Sequence, residues 1–268
     1  MNDDGVRSNL TALSAVALFL MLWLPLGQHE FLIQNWMKVG TFAAPLLLLT
    51  YSATATKRSN PSDPQFMSVL LLIAYIAHQF EEHWIDLLGN EYAFYDYVNA
   101  LIRSVLSREY GEVAPLTPRG IFIINTSLVW LVGVLAIARS RYHLFPLVAL
   151  AAISLVNGFT HILASIFTFK YNPGVLTSLL LFLPLTAVCY LAWAQRERAL
   201  RGQIAVSLIW AILAHFLMVG GMLAANVYRL VSEELYFAAL IVWSALPSIL
   251  FRGSSNNASV GKSAEGAA

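Results

Sequence analysis

Long apolar segments, separated by short connections rich in charge, Pro or Gly, constrain this chain more than any other feature of its sequence. A helix needs about 20 apolar residues to cross the hydrocarbon core of a bilayer, and such a helix satisfies its own backbone hydrogen bonds. Only 12% of the residues are charged, about half the fraction in a soluble domain. The sequence therefore predicts an all-α, polytopic membrane helical bundle. Eight transmembrane helices are predicted, at about 9–26, 37–54, 66–86, 119–138, 144–169, 174–194, 204–226 and 235–251.

The distribution of Lys and Arg predicts how the bundle is oriented. Ten of these residues fall on the side of the N-terminus and six on the other side. Because cytoplasmic loops carry the excess of positive charge, both termini are expected in the cytoplasm, with the protein in the plasma (inner) membrane. Residues 1–252 are predicted to form one transmembrane domain. The segment 253–268 is rich in Ser, Asn, Gly and Ala and is predicted to be a disordered tail.

The third connection is long and has a helical pattern of its own. Apolar residues recur from Phe94 to Leu106 at helical spacing, while Arg103, Ser104 and Arg108 take the other side. This pattern is typical of an amphipathic helix at a membrane interface. We expect it at the outer interface, either as a simple surface bridge between two spans or as a cover over a site.

The third predicted span carries a dense group of ionisable residues in the sequence HQFEEH, residues 78–83. Helical periodicity places His78, Glu81 and Glu82 in one polar patch and directs His83 elsewhere. An ionisable residue at the centre of a bilayer costs about 2.5–3.5 kcal/mol on insertion scales. Two adjacent glutamates also repel each other, so that protonation, a basic partner or a metal ion has to neutralise them.

Two other predicted spans place histidines at a similar depth. The fifth contains NGFTH, which puts Asn157 and His161 on one helix face, and the seventh contains His215 near its middle. These spans run in the same direction as the third, and their histidines fall between the middle and the outer half of the membrane. The pattern predicts one shared intramembrane site.

The motifs HQFEE at 78–82, NGFTH at 157–161 and YNPG at 171–174 together resemble the HXXEE-domain family of integral membrane proteins. The resemblance covers about residues 66–226 and implies a polar intramembrane site formed by His78, Glu81, Glu82, Asn157 and His161. The family has no established function, so the resemblance implies a site but no reaction.

Imidazole and carboxylate groups from facing helices are how helical bundles bind iron, manganese or zinc. One hypothesis is therefore a metal-dependent enzyme with a single divalent transition metal, Zn or Fe, bound by His78, Glu82, His161 and His215. Glu81 is then the general base or a hydrogen-bonding partner of a ligand, and Asn157 orients one. Zinc would favour hydrolysis and iron oxidation, in either case of a lipid-like or apolar small molecule that arrives from the outer leaflet.

Two alternatives stay open. The same residues could exchange protons without a metal, in an isomerase-type reaction or in proton-coupled transport. They could also form a structural network of interhelical hydrogen bonds in a non-catalytic binding protein. The lipid bilayer is the expected partner in every case. A net charge of +1 gives no reason to expect nucleic acid as a partner, and the oligomeric state is not predicted.

Overall fold

The computed structural model describes residues 3–54, 63–106, 114–140, 142–194 and 198–249. These residues form nine helices and no strand, with one isolated antiparallel bridge between Ile85 and Glu91. The helices are α1 (Asp3–Leu26), α2 (Glu30–Thr54), α3 (Pro64–His83), α4 (Ala93–Val105), α5 (Pro118–Arg139), α6 (Phe145–Thr168), α7 (Val175–Thr177, continued through Ala194), α8 (Arg198–Met222, continued through Val227) and α9 (Glu233–Ile249).

The all-helical fold is confirmed, and its apolar helices indicate a membrane protein. A helix lies at each of the eight predicted spans. Four of them are long and apolar enough to cross a membrane, namely Pro118–Arg139, Phe145–Thr168, Val175–Ala192 and Arg201–Val227. The count of eight spans and the orientation of the termini therefore stay predictions. The predicted tail at 253–268 lies outside the described residues.

Side-chain caps begin two of the helices. The Asp63 carboxylate accepts hydrogen bonds from the backbone N–H groups of Gln65 (2.8 Å) and Phe66 (3.2 Å), which begins α3. Thr117 caps α5 in the same way, accepting from the N–H of Gly120 at 2.9 Å. A proline follows each cap, where its missing N–H has no intrahelical partner to lose.

Helix α6 lies at the centre of the bundle. It packs against α3, α5, α7, α8 and α9. Its first half, from Phe145 to Ser154, is buried and includes three alanines, which let neighbouring backbones approach closely. Consequently, side chains in its second half are held in fixed positions against α3.

The predicted amphipathic helix exists as α4, and its apolar face is turned to the bundle. Phe94, Val98 and Ile102 pack against the main core, while Leu101 and Val105 are exposed. This inward orientation makes α4 a cover over the ends of α3 and α5. Its location at a membrane interface stays a prediction.

A single buried side chain fixes α4 in place. The Asn99 amide accepts from the backbone N–H of Leu116 at 2.9 Å and donates to the Leu116 carbonyl at 3.0 Å. Both polar atoms of a fully buried amide are therefore satisfied by one residue ahead of α5.

Candidate metal centre

Three buried side chains from two helices converge near the end of α3. His78 and Glu82 lie one turn apart on α3, and His161 comes from α6. The Nε2 of His161 is 2.8 Å from Oε1 of Glu82, and the Nε2 of His78 is 3.4 Å from Oε2. One ligand atom from each residue lies within 4.8 Å of the other two. Atoms that share a tetrahedral zinc ion are about 3.3 Å apart, so this group has the size and the donor chemistry of a metal site.

Hydrogen bonding determines which nitrogen of His78 carries a proton. Its Nδ1 is 2.8 Å from Oγ1 of Thr177. That hydroxyl has two acceptors within reach, Glu81 Oε2 at 2.6 Å and the Gly174 carbonyl at 3.2 Å. Because its single proton goes to one of these acceptors, the hydroxyl accepts a hydrogen bond from Nδ1–H of His78. The lone pair of Nε2 is thereby left on the side of Glu82.

His161 is oriented by the same principle. Its Nδ1 is 3.2 Å from Oδ1 of Asn172, and Nδ2 of Asn172 donates to the His161 carbonyl at 3.2 Å. The second contact fixes the amide, so Oδ1 accepts from Nδ1–H and Nε2 faces Glu82. Metal-binding histidines nearly always donate their other N–H to such a partner. Both imidazoles therefore have the hydrogen bonding of metal ligands.

Glu81 points to the start of α7. Its carboxylate accepts from the Tyr171 hydroxyl (3.0 Å), the backbone N–H groups of Leu176 (3.2 Å) and Thr177 (2.8 Å), and the Thr177 hydroxyl (2.6 Å). A carboxylate is stabilised there by otherwise unpaired N–H groups and by the helix dipole. Of the two predicted roles of Glu81, the geometry favours the hydrogen-bonding partner, which acts on His78 through Thr177.

Tyr171 lies in the connection between α6 and α7. Burial and the neighbouring carboxylates of Glu81 and Asp86 raise the pKa of its hydroxyl. The hydroxyl thus keeps its proton and donates it to Glu81, while its oxygen accepts from the backbone N–H of Leu87 at 3.0 Å.

Of the remaining two predicted residues, the structure places Asn157 next to the group and His215 outside it. Asn157 lies one turn before His161, with its Nδ2 2.9 Å from the Nε2 of His78. His215 is outside the three-residue group, and its Nδ1 is 2.8 Å from the carbonyl of Ala211. Its role as a metal ligand stays a prediction.

A third imidazole reaches Glu82, which helical periodicity alone did not predict. His83 is the last residue of α3, and its Nε2 lies 3.3 Å from Oε2 of Glu82. Helical periodicity directs this side chain away from His78, but α3 ends here and Glu82 extends toward the ring. The adjacent histidine in HQFEEH was the signal that could have pointed to it.

A directional chain of hydrogen bonds holds the His83 ring. It begins at Trp130, whose indole N–H can only donate and does so to Oε1 of Gln79 at 3.0 Å. The Gln79 amide then donates to Oδ1 of Asn125 at 3.2 Å, and Nδ2 of Asn125 lies 3.1 Å from Nε2 of His83. Because the indole can only donate, it fixes the orientation of the Gln79 amide, which in turn fixes that of Asn125. The Asn125 amide therefore donates to Nε2 of His83.

Gly174, in the YNPG sequence, closes the site on one side. Its φ is +95°, and a Cβ at this position would lie 2.7 Å from Cε1 of His78 and 2.9 Å from both Cγ of Glu82 and Cε1 of His161. Glycine is required here by backbone conformation and by space. The sequence marked this motif but gave no role to its residues.

A cavity of about 100 Å³ adjoins the group. Its polar lining comes from Tyr75, Glu82, His83, Asn125, Asn157 and His215, and the rest of the wall is apolar, including the inner face of α4. The cavity could hold an apolar molecule with one end next to Glu82 and the other polar residues.

Comparison with known proteins agrees with the sequence motifs. Residues 69–190 match the family described as "Protein of unknown function with HXXEE motif". The match confirms the resemblance and contains every residue of the three-residue group, whereas His215 lies beyond it. The resemblance predicted from the motifs covers about residues 66–226. The match begins close to its start and ends before residue 226. No curated protein and no solved structure matches the chain.

Proposed function

We propose that this protein, whose residues 69–190 match the HXXEE family, is a metal-dependent membrane enzyme that acts on a lipid-like or apolar substrate. His78, Glu82 and His161 would bind one divalent transition metal, zinc or iron. The observation that carries the proposal is the pair of imidazoles whose Nδ1 atoms are hydrogen-bonded outward and whose Nε2 atoms face one carboxylate.

The number of protein ligands supports a catalytic site. Structural zinc sites use four protein ligands, whereas catalytic sites use three and keep one position for water or substrate. A metal bound here would supply an activated water or polarise a substrate oxygen. His215, which the sequence also predicts as a ligand, is not one of these three residues, and it lines the adjoining cavity.

The neighbouring residues have positioning roles in this proposal. Glu81 and Thr177 hold His78 in the tautomer that leaves Nε2 unprotonated, and Asn172 does the same for His161. Asn157 lies close enough to the Nε2 of His78 to donate a hydrogen bond to a substrate oxygen held nearby. Glu82 has the further capacity to accept a proton from that substrate.

The apolar lining of the cavity supports the substrate class. An apolar molecule of this kind would enter from within the membrane, near its outer half if the termini are cytoplasmic as proposed. The proposed location is the plasma (inner) membrane with both termini in the cytoplasm. This orientation is supported by the excess of Lys and Arg on the side of the termini.

A metal-free proton-transfer site is the second candidate. It is favoured by the 2.8 Å contact between Nε2 of His161 and Oε1 of Glu82, a distance at which the two groups share a proton. Such a site would serve an isomerase-type reaction or proton-coupled transport. If the same contacts only stabilise the bundle, the protein is a non-catalytic membrane protein.

Metal content separates these candidates. We expect protein purified without chelators to contain close to one zinc or iron ion per chain, measured by inductively coupled plasma mass spectrometry. The variant with both His78→Ala and His161→Ala should lose it, while His29→Ala, on the exposed connection between α1 and α2, should keep it. Metal-free protein after supplementation with either ion would overturn the proposal.

A further inference from the structure

A second cavity, of about 310 Å³, lies on the other side of His83. It is formed by α2, by the segment that leads into α4 and by the start of α5. Trp36 and Met37 line it from α2, and Tyr92 and Tyr95 line it from the segment at α4. Its volume is roughly twice that of an engineered cavity of about 150 Å³ that binds benzene. The cavity is therefore large enough for part of an apolar chain.

Two residues connect this second cavity to the candidate metal centre. His83 and Ile121 line it and also line the first cavity, which contains Glu82. The His83 ring packs between Trp36, at a centroid distance of 5.3 Å, and Phe94, at 5.1 Å. Trp36 belongs to the second cavity and Phe94 to the first. His83 and Ile121 thus form a shared wall between the two cavities.

The lining of the second cavity indicates what kind of molecule it would bind. Its nine described lining residues include no Lys, Arg, Asp or Glu. The polar groups among them are the Gln34 amide, the Tyr92 and Tyr95 phenols, the Trp36 indole N–H and the His83 imidazole. The Tyr92 hydroxyl lies 3.4 Å from the backbone carbonyl of Gln34. Trp36 and Met37 are almost completely buried and form an apolar floor. An ionic headgroup would meet no Lys, Arg, Asp or Glu side chain here, whereas a hydroxyl or ester group would find hydrogen-bonding partners.

We propose that the second cavity binds an uncharged single-chain amphiphile, such as a fatty alcohol or a neutral ester, and delivers it past His83 to Glu82. The neutral polar residues would hold the headgroup during entry, and the apolar floor would hold the chain. The delivery step rests on the proposed function, whereas binding in the cavity does not.

Photolabelling tests the binding step directly. The probe is a dodecanol that carries a diazirine in its chain, irradiated with the purified protein in nanodiscs and mapped by peptide mass spectrometry. We expect adducts on peptides that contain Trp36, Tyr92 or Tyr95. Competition by unlabelled dodecanol should exceed that by dodecanoate or by dodecyltrimethylammonium. Stronger competition by either ionic compound would overturn the assignment of a neutral ligand.

A matched pair of variants on α2 provides the steric test. Met37→Trp fills the cavity, whereas Val39→Trp adds the same side chain at a position that is 51% exposed. We expect labelling to fall about tenfold or more in Met37→Trp and to stay unchanged in Val39→Trp. Ile33→Phe, a smaller obstruction in the same wall, gives an independent measurement if Met37→Trp does not fold. Equal labelling of the obstructed variants and Val39→Trp would contradict the proposal.

A further comparison separates failure of this inference from failure of the proposed function. Glu82→Gln should lose the metal and keep labelling in the second cavity. Met37→Trp should keep the metal and lose the labelling. Labelling without any metal in the unmodified protein would leave the binding site in place and overturn the proposed chemistry.

Discussion

The Nε2 of His161 lies 2.8 Å from Oε1 of Glu82, although these residues belong to α6 and α3 and are far apart in the chain. The contact depends on the central position of α6, whose buried first half holds its second half against α3. On the far side of each imidazole, the chain supplies an acceptor for Nδ1, Thr177 for His78 and Asn172 for His161. The site is thus organised by residues that lie outside the HXXEE motif.

The two adjacent glutamates should respond differently to the same substitution. Glu82→Gln should abolish metal binding while the protein still folds, because Gln keeps the size of the side chain. Glu81→Gln should lower that free energy by about 1–3 kcal/mol, because an amide oxygen cannot replace a carboxylate that accepts four hydrogen bonds. Metal analysis and thermal unfolding in detergent measure the two effects. Equal loss of stability in Glu82→Gln and Glu81→Gln would instead favour the purely structural network.

Thr177 should matter for metal affinity although it is not a ligand. Thr177→Val keeps the shape of the side chain and removes the hydroxyl that accepts from Nδ1–H of His78. We expect metal affinity to fall about 10- to 100-fold, as for other residues that orient a metal-binding histidine. Thr177→Ser keeps the hydroxyl and should keep the metal affinity. Competition with a chromogenic chelator measures the affinity of both variants. Equal affinity in the Val and Ser variants would show that the hydroxyl does not orient His78.

Gly174 should tolerate no side chain. In Gly174→Ala the new methyl group meets both imidazoles and the Glu82 side chain, and the positive φ adds strain of about 1–2 kcal/mol. We expect loss of metal binding together with a lower melting temperature. Gly220→Ala is the control, since a Cβ there has nothing within 4 Å. Full metal content in Gly174→Ala would mean that the loop can move away from the histidines.

Cysteine accessibility tests the predicted orientation. Ser104 is exposed on α4, and Ser52 is exposed near the end of α2. A thiol in Ser104→Cys should react with a membrane-impermeant maleimide in intact cells, and one in Ser52→Cys should react only after permeabilisation. The unmodified protein is the control, because its Cys189 is buried. The reverse pattern would invert the topology and place the site near the cytoplasmic leaflet.

Much of the fold could be predicted from local sequence because membrane helices are specified locally. Apolar length locates each helix, and caps such as Asp63 and Thr117 with the prolines after them set where helices begin. The same logic identified His78, Glu82 and His161, since ionisable residues in apolar segments are costly unless they meet partners. Among the described residues, four helices are long and apolar enough to cross a membrane. The prediction of eight spans therefore rests on the sequence pattern.

The helical architecture and the residue types of the site follow from local sequence, because helix formation and the cost of buried charge depend on near neighbours. The orientation of those residues depends on packing between helices. Thr177 and Gly174 act through contacts with α3, which lies far away in the chain, and Asn172 contacts His161 across the connection between α6 and α7. Helical periodicity predicts neither kind of contact. His83 is the clearest example. Periodicity gives the direction of a side chain on an ideal helix, but His83 is the last residue of α3. The end of α3 and the packing of Trp36, Phe94 and Asn125 around the ring determine where it lies.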